Sequence, residues 1–327
     1  AKQLPIKMLC VANYHYIRTD FKAKYPSIFG FTPSQFKMQL EILSKYGEFI
    51  SQPDLLQKIE QPFQKNYILI TFDDGLKEQY EIAKPILDEM GIPFIFFVNS
   101  WNFSEHKLSM VHKIHLLRSI LNSEIINSRT ALKLSQEENQ LAIKHYNYDD
   151  TNTARLKYLL NFKLNFKELV LLIDPLFHEY FDESKIFEEL YMSKDMLIDL
   201  DKNHNLGSHA HQHIPLGEFD EEVISQDLKD SQLFFNSLLG HKLDAISYPY
   251  GSFSACQKVS KIAKENNFKL GFTMERALIA DLQEDPLLIS RYDANDLPLG
   301  KGDLFKENKL FSKPTYRNWY ENSAIYQ

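Results

Sequence analysis

The chain has 327 residues, 44% of them hydrophobic and 25% charged, the balance of a soluble globular protein with room for one large α/β domain or two modest ones. Its formal charge of −7, from 37 Lys and Arg against 44 Asp and Glu, argues against a nucleic-acid partner, because neutralising phosphates needs a basic face. Cys10 and Cys256 are too few for a disulfide framework and fit a reducing compartment, and no apolar run approaches the ~18 residues of a membrane-spanning helix. The first residues, Ala1 to Pro5, show neither an initiator Met nor the apolar core of a signal peptide. The expectation is a cytoplasmic protein, or a periplasmic or extracellular one from which a leader has been removed.

In chain order, Lys7 to Ala12 reads as a first strand, followed by the polar-aromatic turn Asn13-Tyr14-His15-Tyr16. Thr32-Pro33-Ser34-Gln35 marks a helix start, with Pro just inside it. The helix Phe36 to Lys45 stops near Gly47, and Phe49-Ile50 begins a short return strand. Ile68 to Thr71 is a β-branched run that ends in two adjacent carboxylates and a glycine, Asp73-Asp74-Gly75. Apolar residues then recur at helical spacing from Leu76 to Met90, and Phe94 to Val98 reads as the next strand. A strand, acidic turn, helix and strand in succession predict a parallel α/β sheet whose ligand end lies at the strand carboxyl ends, where Asp73 and Asp74 sit.

Residues 101 to about 200 break this rhythm with helical, Lys/Glu/Leu/Ile-rich segments at Val111–Leu121, Glu137–Lys144, Thr151–Asn161, Phe166–Ile173 and Lys194–Leu200. The β/α alternation resumes at Asn205 to His209, with a helix over Glu221–Leu239 and a strand over Asp244–Tyr248. A helix over Ser254–Asn266, a strand over Lys269–Thr273 and a last strand over Leu287–Arg291 follow. The segment beyond Asp296 is polar, mixed and uninformative.

Two side-by-side carboxylates repel unless a cation or a proton relieves them. One Asp would cap the helix; the second needs another reason. A candidate cation partner lies in Gly207-Ser208-His209-Ala210-His211-Gln212-His213, where three imidazoles stand at alternate positions. A strand would put all three on one face, whereas a helical turn would pair His209 with His213. With Asp74, two of them make a two-His, one-carboxylate set that leaves positions open for water and substrate. A surface histidine cluster without a ligand is the alternative. The strand end Ser247-Tyr248-Pro249-Tyr250-Gly251 forms a tight turn whose N–H groups can face a barrel mouth and support an oxyanion, although such turns are usually structural.

Together these segments resemble the polysaccharide deacetylase family, the NodB-like carbohydrate esterases. The family's Thr-Phe-Asp-Asp-Gly motif stands as Thr71 to Gly75, its His-x-x-x-His pair as His209 and His213, and its aromatic-Pro-aromatic-Gly strand end as Tyr248 to Gly251. The resemblance covers about residues 7–100 and 205–295. It implies a distorted (β/α)7-type barrel, which with the helical pattern reads as one barrel over residues 1–300 interrupted at about 101–200 by a helical insertion that the resemblance does not cover, and followed by a C-terminal tail at 301–327. It further implies metal-dependent removal of N-acetyl groups from an amino sugar or polysaccharide. Asp74, His209 and His213 would hold a divalent ion, zinc first, with cobalt, nickel or manganese as alternatives. Asp73 would be the general base, and the backbone N–H of Tyr250 would help hold the oxyanion.

Three departures from the family pattern stand out. The arginine usually found before the aromatic-Pro step is Ser247, the late Leu-x-Leu-x-His motif is absent after residue 270, and position 210 is Ala rather than Ser or Thr. The first two point to a branch. Leu9 to His15, with Phe31-Thr32-Pro33 and Phe36, Gln39, Leu40 and Leu43, is similar to the biofilm poly-N-acetylglucosamine deacetylases, whose barrel motifs are permuted. By that match His15 is the candidate general acid, against an ordinary strand-end histidine. Arg291 is a candidate replacement for the missing brace on Asp73, against a surface ion pair. Trp101 either packs or stacks on a sugar ring. Competing functions are an amidohydrolase acting on a small amide, imide or N-formyl group, and a non-catalytic carbohydrate-binding protein.

Overall fold

The computed structural model describes residues 6–21, 30–146, 149–283, 285–306 and 310–319. The expectation for Ala1 to Pro5 therefore lies outside the described residues, as does part of the tail. The fold is α/β, a distorted (β/α) barrel, and the chain divides into a barrel unit and a helical unit.

In the barrel unit, apolar runs supply parallel strands β1 (Leu9–Tyr14), β2 (Glu48–Phe49), β3 (Tyr67–Phe72), β4 (Phe94–Val98), β5 (Leu206–Ser208), β6 (Ala245–Ser247), β7 (Leu270–Phe272) and β8 (Tyr292–Asp293). Their order is β7-β6-β5-β4-β3-β1-β8, with β2 pairing the first residues of β3. Ile289 pairs with Phe272 of β7, and four residues later Asp293 pairs with Asn13 of β1. This one stretch therefore reaches both edges of the curled sheet. The last strand differs from the expected Leu287–Arg291: it is split into a single bridge at Ile289 and the short β8.

Alternation along the strands sorts their side chains onto two faces. Leu9 and Val11, Tyr67 and Leu69, Ile95 and Phe97, Ala245, Leu270, Phe272 and Ile289 share one buried cluster, the barrel interior. The opposite parity packs outward against the helix Pro33–Leu43: Tyr14, Phe36, Phe72 and Phe96 are linked ring to ring at 4.9–5.7 Å. That helix begins with a capping box between Thr32 and Gln35.

The helix expected over Leu76–Met90 is not regular. It opens with a π-helical turn, Gln79–Ala83, and becomes α-helical only over Lys84–Met90. Pro85 explains the widening, since it has no N–H for a bond to Glu81 and its ring crowds the preceding turn. The helix expected over Ser254–Asn266 is broken at Lys258, which takes a left-handed φ of 62°. The polar tail is more ordered than its composition suggests. Leu278 donates to Thr315, Arg317 donates to the carbonyls of Asp285 and Leu288, and Glu275 accepts the N–H groups of Asn318 and Trp319.

The helical unit covers residues 108–186. Its main elements are Met110–Ile120, Ser123–Ser128, Gln136–His145, Thr151–Tyr158 and Phe166–Tyr180, the last running through Pro175. Leu116, Leu117, Ile173 and Phe177 are buried there, and Lys113 is ion-paired with Asp174 and Glu183.

Candidate active site

The inward parity that gives the barrel its apolar filling turns polar at the carboxyl ends of the strands. Two residues beyond Val11 stands Asn13; two and four beyond Leu69 stand Thr71 and Asp73; two beyond Ala245 stands Ser247; two beyond Ile289 stands Arg291. All five are buried. Their side chains join in one network above the apolar layer.

Arg291 is its centre and is wholly buried. Nη1 donates to Asp73 Oδ1 at 2.9 Å and Nη2 to Asp73 Oδ2 at 2.8 Å, a bidentate pair. The remaining donors reach Asn13 Oδ1 at 2.9 Å, Ser247 Oγ at 2.7 Å and the Thr273 carbonyl at 3.0 Å. Ser247, where the family usually has arginine, is thus in contact with a guanidinium supplied from the segment just before β8. Asn13 Nδ2 adds a bond to Asp73 Oδ2 at 3.0 Å. Burial by itself would raise the Asp73 pKa. The Arg291 charge, then His209 and the guanidinium hydrogen bonds, outweigh it and hold the carboxyl well below the usual range.

Asp74 would point away from Asp73 if β3 continued straight. Instead it takes φ 82°, followed by Gly75 at 65°, and this left-handed pair brings the second carboxylate to the same corner. Glycine is required at 75, where a Cβ would also lie 3.1 Å from the Val98 side chain. Asp74 Oδ1 lies 3.5 Å from His209 Nε2 and 3.5 Å from His213 Nε2. Among the described residues, these three are the group whose ligand atoms converge, all within 4.8 Å of one another.

The two 3.5 Å carboxylate–imidazole spacings fit a cation. Two ligands bound tetrahedrally at about 2.0–2.1 Å stand roughly 3.3 Å apart, whereas a charge-assisted hydrogen bond would close to ~2.8 Å. His209 presents Nε2 because its Nδ1 is bound to the Ser247 carbonyl at 2.7 Å, the kind of outer contact that fixes the tautomer of a ligand histidine. The segment carrying the imidazoles is neither of the two forms considered from sequence: β5 ends at Ser208, and an irregular loop with Ala210 at φ 63° brings His213 back beside His209. Their ring centroids are 5.1 Å apart.

The other candidates take varied places. His15 follows β1 directly, is half-buried, and lies close enough to Asp73 to help lower its pKa. Tyr250 takes φ 64°, is 43% exposed as a residue, and its ring packs on His213 at 4.9 Å. His211 bonds the Ser100 hydroxyl through Nδ1 at 2.8 Å. Trp101 lies in the helix Ser100–Glu105, half-buried, with its backbone N–H donating to the His211 carbonyl at 3.0 Å.

Several residues at the site have roles that the sequence does not show. In the sequence Asn13 stands as a turn residue, Thr71 as the first position of the acidic motif and Ser247 as a departure from arginine, and it is their shared inward register that joins them around Asp73. Gln79, fully buried in the π turn, donates to the carbonyls of Asp73 at 2.6 Å and His15 at 2.8 Å and so ties the ends of β3 and β1 together. Asp227, on the helix Glu221–Leu239, accepts the N–H groups of His211 and Gln212, both at 2.9 Å.

The polysaccharide deacetylase family model matches residues 60–160 and 178–271. The chain belongs to the polysaccharide deacetylase family. Solved structures similar to this polysaccharide deacetylase include the Streptococcus pyogenes deacetylase PplD in complex with acetate, with 17% identity, a TM-score of 0.51, and 92% of this chain and 98% of that chain covered. IcaB from Ammonifex degensii is similar at 16% identity and a TM-score of 0.52, covering 88% of this chain and 92% of that one. The BpsB deacetylase domain from Bordetella bronchiseptica shows 17% identity and a TM-score of 0.51, covering 87% of this chain and 95% of that one. At these identities the likeness is one of fold. A comparison of the sequence with curated proteins finds no match. No helix among the described residues is long and apolar enough to cross a membrane.

Proposed function

We propose that this polysaccharide deacetylase is a metal-dependent N-deacetylase that hydrolyses the acetamido group of an amino sugar in a surface polysaccharide or its precursor. The observation that carries the reading is the Asp74–His209–His213 triangle, standing beside a second carboxylate that Arg291 keeps ionised. A divalent cation on Asp74, His209 and His213, zinc first by its donor set, would acidify a water and polarise the substrate carbonyl, so that a carboxylate as weakly basic as Asp73 suffices.

Asp73 takes the proton of the attacking water as its oxygen bonds the acetyl carbon. The Tyr250 N–H, presented by the left-handed turn at the end of β6, donates to the oxyanion. Gly251, with φ 61° and a Cβ position only 2.5 Å from Met274, keeps that turn tight. His15 gives a proton to the amine nitrogen as the C–N bond breaks, releasing acetate and the free amine. Arg291 holds Asp73 in place and charged without touching substrate.

Acetate release from N-acetylglucosamine oligomers, assayed beside simple amides and formamides, tests the substrate class. Asp73→Asn is expected to keep bound metal and lose turnover by at least ~100-fold, whereas Asp74→Asn and His213→Ala lose the metal. A fully active Asp73→Asn would refute the role given to that carboxylate.

A further inference from the structure

The segment from His209 to His213 has no helix or strand to aim its second imidazole. Ala210 sits in the left-handed region, and the loop is held from two sides instead. On one side, Asn99 Nδ2 donates to the His209 carbonyl, Ser100 N to the Ala210 carbonyl at 3.3 Å and Trp101 N to the His211 carbonyl at 3.0 Å. On the other side stands one buried carboxylate, Asp227, whose two oxygens accept the consecutive N–H groups of His211 and Gln212.

We propose that Asp227 is a positioning residue that sets the approach of His213 to Asp74 and thereby the strength with which the site holds its cation. This rests on the metal reading given above. The two N–H groups it grips belong to His211 and Gln212, the residues just before His213, so they fix the stretch of loop from which His213 departs. The grip is itself anchored. Ile224, Leu228 and Phe235 bury one face of the helix that carries Asp227, and Ser231 on that helix bonds Ser208 of β5 at 2.7 Å. The helix is thus pinned to the strand that delivers His209, and the carboxylate measures out the loop from that strand. Burial makes this an unfavourable place for a charge, pushing the Asp227 carboxyl up to about 7 even though both N–H bonds pull it down. An apolar residue would serve the helix packing better. The loop contact is what a carboxylate adds there.

The test uses the full chain, stripped of metal and titrated with zinc against a competing chelator, with circular dichroism of the metal-free proteins to check folding. Asp227→Asn, which replaces one acceptor oxygen by a donor, is expected to weaken zinc binding about 10–100-fold with the circular dichroism unchanged, the range typical of losing a group that orients a metal ligand. Asp227→Glu, which keeps both acceptors on a longer stem, is expected to recover part of that loss. Asp230→Asn removes a carboxylate close enough to act on Asp227 and His211, yet without a bond to the loop. It should change zinc affinity less than twofold.

Equal zinc affinity in Asp227→Asn and the parent would overturn the proposal, and so would an Asp230→Asn loss as large as that of Asp227→Asn, which would make the effect one of charge. If Asp227→Asn fails to fold, Asp227→Glu carries the comparison: weakening of a few-fold supports the proposal and parental affinity overturns it. A parent protein that binds no zinc refutes the metal reading itself, and this inference with it. A parent that binds zinc while both Asp227 variants match it refutes this inference alone.

Discussion

Breaking the Arg291–Asp73 pair is the sharpest probe of how the site is held. All five N–H groups of the buried guanidinium have acceptors, namely both Asp73 oxygens, Asn13, Ser247 and the Thr273 carbonyl. Arg291→Met would strand the Asp73 carboxylate at 3% exposure and leave those acceptors unmet, a loss of about 3–5 kcal/mol. Asp73→Asn would leave the guanidinium charge without its counterpart and cost about the same order. The double variant buries neither charge, so the two losses should fail to add by about 2–3 kcal/mol. Equilibrium unfolding in urea of the four metal-free proteins measures this directly. The pH dependence has a fixed sign. The unfolded Asp carboxyl titrates near ~3.9 and the folded one lower, so the pair's contribution is complete above pH ~4 and is lost as pH falls through the folded pKa. Single losses below about 1 kcal/mol, or losses that add within ~0.5 kcal/mol, would refute the reasoning.

Asp227 should act on stability with the opposite sign. Its folded pKa of about 7 lies above the unfolded ~3.9, so the group opposes folding increasingly between pH 4 and 7, by up to about 4 kcal/mol. Thermal unfolding of metal-free Asp227→Asn should therefore vary less with pH over that window than the parent does; an unchanged profile would count against the burial argument. Gln79→Ala removes the bonds to the Asp73 and His15 carbonyls and should cost about 2–4 kcal/mol along with part of the turnover, read by urea unfolding and acetate release. Gly75→Ala meets both a positive φ and the Val98 side chain, and a loss of at least ~1 kcal/mol in the same unfolding assay is expected.

What the sequence made legible was carried by residue types that are rare in combination. An Asp-Asp-Gly at the end of a β-branched run and two histidines four apart located the corner, and the helix Glu221–Leu239 was readable to its end residues. What it hid falls into two kinds. The network around Arg291 joins Asn13, Thr71 and Ser247, a turn residue, a motif position and a departure from arginine, whose common role rests on sharing the inward parity of Val11, Leu69 and Ala245. Noticing a polar residue where that alternation predicts an apolar one would have found them. The other kind depends on backbone geometry. A π turn enforced by Pro85 puts Gln79 under the carbonyls of two strands, and an alanine in a left-handed conformation turns the histidine segment back on itself. Periodicity is blind to both. Asp227 lies between, since an Asp beside the buried stripe of Ile224 and Leu228 is a signal, but its target is contributed by a distant loop.

The position of Arg291 also bears on how the molecule comes into being. It is separated from Asp73 by 218 residues of chain and lies on the stretch that spans the two free edges of the sheet. Along the chain, both aspartates and both imidazoles precede that counter-charge, His213 by 78 residues. A chain that stopped short of residue 289 would carry both aspartates and both imidazoles, yet neither the counter-charge nor the stretch that bridges the sheet's edges.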